Sequence, residues 1–145
     1  MRPRTRPIPM LDQALQLFSS GAYPQAIELL QHIVAVNPQE PEPRLQLAKA
    51  CLDWIQIQTQ MPLNELEPET LNDSGKQLLE VAYSELKTLA KRHSSFPYVL
   101  SLLGIVYFIY DRPEDAVRSL RKALRKEPRN PEVLYNLGCL LYTSD

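Results

Sequence analysis

Histidine is scarce in this chain: His32 and His93 are the only two. No nucleophile motif, Gly-rich phosphate loop or His/Cys/Asp cluster accompanies them, so acid–base and nucleophilic catalysis lack their usual side chains. Surface histidines account for both, and no enzyme activity is expected. Cysteine is equally rare. Cys51 and Cys139 stand 88 positions apart with no neighbour at ligand spacing, which supports neither a disulfide framework nor a zinc site. No motif for a cofactor is present either. Excess charge of one sign is missing as well: 16 Lys and Arg against 17 Asp and Glu leave a net charge of -1, so nucleic acid is not the expected partner. The longest nearly uncharged apolar run, Val99 to Tyr110, has 12 residues. Spanning a bilayer as a helix takes about 20. The basic start, Met1 to Pro7, is followed by Leu11, Asp12 and Gln13 rather than by an apolar signal core, which points to a cytoplasmic protein.

What the chain does have is a period. Ala14 and Ala48 lie 34 apart, as do Leu17 and Cys51, Pro97 and Pro131, Leu100 and Leu134, Leu103 and Leu137, and Gly104 and Gly138. Within a unit a second small residue follows 12 later, Ala26 after Ala14 and Ala116 after Gly104. Ile33 and Ala123 come 7 beyond those, and Pro38 and Pro128 close the units. Two helices with a stop fit this spacing. The middle unit keeps the phase, because Ala48 to Ala82 is 34, or 12 plus 22, and Leu89 again follows by 7. A 22-residue insertion therefore lies between its two helices.

Local signals agree. Apolar residues recur at three- and four-residue steps in Leu11, Ala14, Leu15 and Phe18, and in Leu78, Leu79, Ala82, Leu86 and Leu89. Pro24, Pro97, Pro113 and Pro131 suit the first turn of a helix, where a missing N–H costs nothing, and Pro38 and Pro128 suit helix ends. With only four glycines available, Gly104 and Gly138 read as points of close helix packing, Gly104 against Ala116. The insertion carries Gln56, Gln58 and Gln60, then Glu65, Glu67 and Glu69, with Pro62 and Pro68 interrupting it. Two lengthened helices joined by an exposed loop are expected, with Asp73 or Ser74 as the next N-cap.

The stretch Leu103-Gly104-Ile-Val-Tyr107, Pro113-Glu-Asp-Ala116, Leu120, Ala123-Leu124 and Pro128 resembles the tetratricopeptide repeat (TPR) consensus. So does Gly21-Ala-Tyr23-Pro-Gln-Ala26 before Leu30, Ile33 and Pro38, although Met10, Arg44, Leu100 and Leu134 replace the usual first-helix tryptophan. The resemblance implies an all-α, right-handed superhelix of antiparallel helix pairs, a TPR-like α-solenoid of about seven helices. The units fall at about 7–40, 41–96, 97–130 and 131–138, the last partial, behind a basic tail at 1–6. It also implies that first helices line a concave groove for peptides or helices. The period then puts Leu11, Leu15, Phe18, Leu45, Lys49, Leu52, Tyr98, Ser101, Ile105 and Phe108 on that groove. With Lys49 nearly alone among them, a carboxylate clamp is not expected, and an apolar peptide or amphipathic helix suits the surface better.

A second candidate surface is a basic stripe on the third unit's second helix: Arg118, Arg121, Lys122, Arg125, Lys126 and Arg129, at three- and four-residue steps. A solvated outer face explains it without a ligand, and an acidic partner is the alternative. Residues 139–145, Cys-Leu-Leu-Tyr-Thr-Ser-Asp, resemble an in-frame translation of the transposon-end adapter of sequencing libraries, which would make Gly138 the last native residue; against this, Leu140, Leu141 and Tyr142 suit a buried helix. A half-unit leaves Val133, Leu134 and Leu137 uncovered, so self-association through that end or through the groove is expected. The function expected is a scaffold binding a protein or peptide. The alternative is the substrate-docking arm of a larger enzyme, for example a transferase, whose catalytic domain would lie beyond Gly138.

Overall fold

Prolines open most of the helices, and single left-handed residues close several. The structure is a computed structural model that describes residues 7–143 other than 95 and 97, with side chains to residue 138. The basic tail at 1–6 and the helix start expected at Pro97 lie outside the described residues, as do the side chains of 139–145. Seven helices are present among the described residues, with no strand: α1 (Leu11–Ser19), α2 (Tyr23–Val36), α3 (Pro41–Thr59), α4 (Asp73–Arg92), α5 (Val99–Ile109), α6 (Pro113–Lys126) and α7 (Pro131–Thr143). Pro24, Pro113 and Pro131 sit in first turns, and Pro38 and Pro128 follow the ends of α2 and α6.

The corner after α1 is made by Gly21 at φ 85, with Gly21 N–H donating to Phe18 O at 3.1 Å and Ala22 N–H to Leu17 O at 2.9 Å. This is a Schellman closure. The corner after α5 repeats it with Asp111 at φ 59, whose N–H reaches Phe108 O at 3.0 Å while Arg112 N–H reaches Tyr107 O at 2.9 Å. The same turn is thus built once with the residue that favours it and once without.

Each helix packs on the next in the chain, and the core is one cluster running from Ala14 to Leu120. Ala14, Ala48, Ala26, Ala82 and Ala116 are all 0% exposed, so the small residues of the period mark where helices approach most closely. At Gly104 an added Cβ would stand 2.7 Å from Leu120 Cγ and 3.2 Å from Ala116 O, which confirms close packing against α6. Gly138 differs from expectation: among the described residues nothing lies within 4 Å of such a Cβ.

The insertion also departs from the expected exposed loop. After α3, two 3₁₀ turns at Leu63–Glu65 and Pro68–Thr70 bring Leu66 and Leu71 to 3% and 6% exposure, and the first turn lies against α5. The apolar residues of this acidic stretch find the core, and its carboxylates stay outside. Asn72, not Asp73 or Ser74, caps α4, its Oδ1 accepting from Gly75 N–H at 2.8 Å.

Candidate functional site

The ten side chains that the period places on the first helices do not form one open surface. Leu45, Leu52 and Ile105 are buried in the common core. Ser101 is buried too, its hydroxyl accepting from Asn136 Nδ2 of α7 at 2.9 Å. These four are corrections to the expected groove. The physical reason differs by helix: Leu45 and Leu52 on α3 pack among α1, α2 and α4, while Ser101 and Ile105 are on α5, against which the first turn of the insertion and α7 both lie. Leu11, Leu15, Phe18, Lys49 and Phe108 are half-buried, and Tyr98 is exposed. Tyr98 and Ser101 border one cavity of about 340 Å³ with Phe96, Leu100 and Lys126, while Leu15 borders a separate depression with Asp12 and Ser19.

Beside Lys49, one turn along α3, stands Asp53, which spacing did not single out. Burial raises its carboxyl above the ordinary 3.8, and Lys49 partly opposes the shift. Trp54 follows, stacked on Tyr23 at 5.5 Å, and Tyr23 in turn meets Phe18 edge-on at 5.5 Å. This aromatic group holds the far end of α1 against α2 and α3. Arg44, in place of the expected tryptophan, spans α3 and α4: it pairs with Glu85 and donates from Nη2 to Pro38 O at 2.9 Å, the two charged side chains being 13% and 15% exposed. Cys51 behaves as a core residue. Burial pushes its thiol up to about 12, with Glu85 adding to the effect, so almost no thiolate exists at neutral pH.

The basic stripe divides. Arg118 and Lys122 turn toward α4, where Lys87 and Lys91 face them across a trough. Arg121 and Arg125 are exposed, Lys126 donates from Nζ to Ser94 O, and Arg129 lies beyond the end of α6 beside Tyr98. All six are exposed, and two of them, Arg118 and Lys122, also border the trough. Lys87 and Lys91 were legible as a four-residue pair on α4, but only the packing of α4 against α5 brings them opposite Arg118 and Lys122.

Val133, expected to be uncovered, is fully buried between its neighbours, and Leu137 is half-buried; Leu134 and Tyr135 are 47% and 71% exposed. His32 is exposed and His93 half-buried after the last turn of α4. Among the described residues no group of three or more His, Cys, Asp or Glu is placed to hold a metal ion, and no helix is long and apolar enough to cross a membrane.

No family model matches the chain, and no curated protein does. Among solved structures, the first TPR of Spaghetti (RPAP3), bound to the HSP90 peptide SRMEEVD, is similar with a TM-score of 0.72 at 18% identity, over 93% of this chain and 90% of that one. The second TPR domain of the human RPAP3 protein, in complex with the HSP70 peptide SGPTIEEVD, is similar with a TM-score of 0.67 at 17% identity, over 90% of each chain. The likeness is one of fold: the chain is an all-α solenoid of the tetratricopeptide kind.

Proposed function

We propose that this chain is a protein-interaction scaffold, and that it takes an apolar peptide or amphipathic helix along its first helices. The observation that carries the reading is the set of apolar side chains left half-buried on two first helices, Leu11, Leu15 and Phe18 on α1 and Phe108 on α5, together with exposed Tyr98 ahead of α5. Half-buried apolar area on a rigid helical frame gains when a partner covers the remainder, at roughly 25 cal/mol per Å² removed from water, less the cost of ordering the partner.

The fold neighbours were solved with acidic peptides that end in Glu-Glu-Val-Asp. Holding such an end requires several cations in the groove. Of the ten residues on this register only Lys49 is one, and Asp53 one turn away works against a carboxylate. The ligand is accordingly one recognised by its apolar face, with anchors three or four residues apart.

The test is fluorescence anisotropy with two labelled probes: an amphipathic 15-residue helical peptide with leucines on one face, and a peptide ending in Met-Glu-Glu-Val-Asp with a free carboxylate. The first binds, and Phe18→Glu or Phe108→Glu weakens it about tenfold or more, as loss of an aromatic anchor does. The second does not bind. Unchanged affinity in both variants, or tight binding of the carboxylate peptide, rejects the reading.

A further inference from the structure

Two troughs of one architecture and opposite character lie between the second helices of successive units. Between α2 and α4 lies a space of about 680 Å³ lined by Ile27, Val34, Leu78 and Val81, with Glu80 and Glu85 at its edge. Between α4 and α6 lies one of about 430 Å³ whose walls are cationic. Lys87 and Lys91 stand one turn apart on α4, and Arg118 and Lys122 one turn apart on α6. At its base lie Leu103 and Tyr107 of α5, 4% and 9% exposed, with Ala90 of α4 and Ser119 of α6, and the Arg112 guanidinium stands 4.9 Å over the Tyr107 ring.

The acid in the second trough, Asp115, is already occupied: Arg112 Nη2 meets its Oδ2 at 2.7 Å and Arg118 Nη1 its Oδ1 at 2.8 Å. Lys87 rests over the Tyr83 ring at 5.6 Å, whereas Lys91 and Lys122 have no ion pair or hydrogen bond among the described residues. In a chain of net charge -1 this is a concentration of positive charge that the fold does not demand, since the neighbouring trough manages without it. Lys87, Lys91 and Lys122, held around this slot beside the already paired Arg118, repel one another, and a ligand that brings carboxylates relieves the repulsion while covering the base.

The geometry points to a second docking surface, the trough between α4 and α6, which takes an acidic protein segment whose carboxylates pair with Lys87, Lys91 and Lys122 while an apolar side chain between them sits on Leu103 and Tyr107. This site shares none of the apolar side chains proposed on the first helices and does not depend on them. A nucleic acid would track a phosphate backbone along the exposed ridge of Arg121 and Arg125 and would leave the base of the trough unused.

The probe is a fluorescein-labelled decapeptide of repeating Glu-Glu-Leu, followed by anisotropy at about 50 mM salt, where surface attraction is weakly screened. Lys91→Glu with Lys122→Glu is compared with Arg121→Glu and Arg125→Glu, a pair that changes net charge equally on the ridge. Far-UV circular dichroism confirms that both variants are folded, and Lys91→Gln with Lys122→Gln replaces the first pair should it unfold. The trough pair loses about tenfold or more in affinity and the ridge pair less than about threefold. Replacing leucine by serine in the peptide also weakens binding. Equal losses from the two pairs, indifference to the leucines, failure of the wild-type chain to bind, or displacement of the peptide by an oligothymidylate that depends on the ridge would each overturn the assignment.

Discussion

At the scale of single residues, the small positions of the period carry the closest contacts. Gly104 faces Leu120 Cγ and the Ala116 carbonyl so closely that a methyl group does not fit. Gly104→Ala gains about 1 kcal/mol of helix propensity and loses about 1–3 kcal/mol to overpacking, so the variant is expected to unfold at a lower denaturant concentration. An unchanged or higher midpoint would show that Leu120 yields freely. Asp53 offers a pH-dependent counterpart. Its folded-state carboxyl titrates above 3.8 because burial disfavours the charge. A raised carboxyl favours folding only while protonated: its contribution is present below the unfolded value and is lost as pH rises through the folded one. Asp53→Asn should therefore melt above the wild type at about pH 7, with the difference closing near pH 3. Calorimetry at the two pH values decides the matter, and a lower melting temperature at neutral pH would mean that attraction to Lys49 outweighs burial.

At the scale of the element, the insertion is where spacing and packing part company. Counting places it between the two helices of the second unit, where two 3₁₀ turns join α3 to α4, and Ala48 and Ala82 on either side are each fully buried. What counting could not supply is the direction in which a stretch with two prolines and three glutamates folds. Leu66 and Leu71 are isolated apolar residues in a polar context, with no helical or strand period to mark them as core. Only the three-dimensional position of α5 decides that they are covered. Removing Gln60 to Leu71 deletes both, and each buried leucine is worth about 1.5–3 kcal/mol, whereas shortening the connection returns only a fraction of that in closure entropy. The deletion variant should lose stability by roughly 3–6 kcal/mol in urea unfolding. A wild-type midpoint would mean that the turns rest on the body without supporting it.

For the whole molecule, the repeat was readable because each unit must present a small residue wherever its helices cross, and that requirement leaves marks 34 and 12 residues apart. The same logic gave the register of the first helices, yet a register is not a surface. Leu45, Leu52, Ser101 and Ile105 hold the expected positions and are nonetheless buried, since their exposure depends on what packs beside each helix: α1, α2 and α4 around α3, and the insertion turn and α7 against α5. Charge was legible in the same partial way. The six cations near α6 share a helical spacing, but the cationic trough needs Lys87 and Lys91, which come from a helix more than twenty residues earlier in the chain.

Solenoids are ordinarily assembled from interchangeable parts, since each unit touches only its neighbours through much the same faces. The turn at Leu63–Glu65 breaks that equivalence, because it lies against α5 in a stretch where α3 and α5 barely touch. The second unit has become a bespoke piece whose connector is also part of the next unit's wall. A chimera with a second copy of residues 97–130 in place of 41–96 would keep every helix crossing yet strip one side of α5. Duplicating 41–130 as a block would carry wall and connector together, which makes that block, and not the 34-residue unit, the part from which longer versions of this protein can be built.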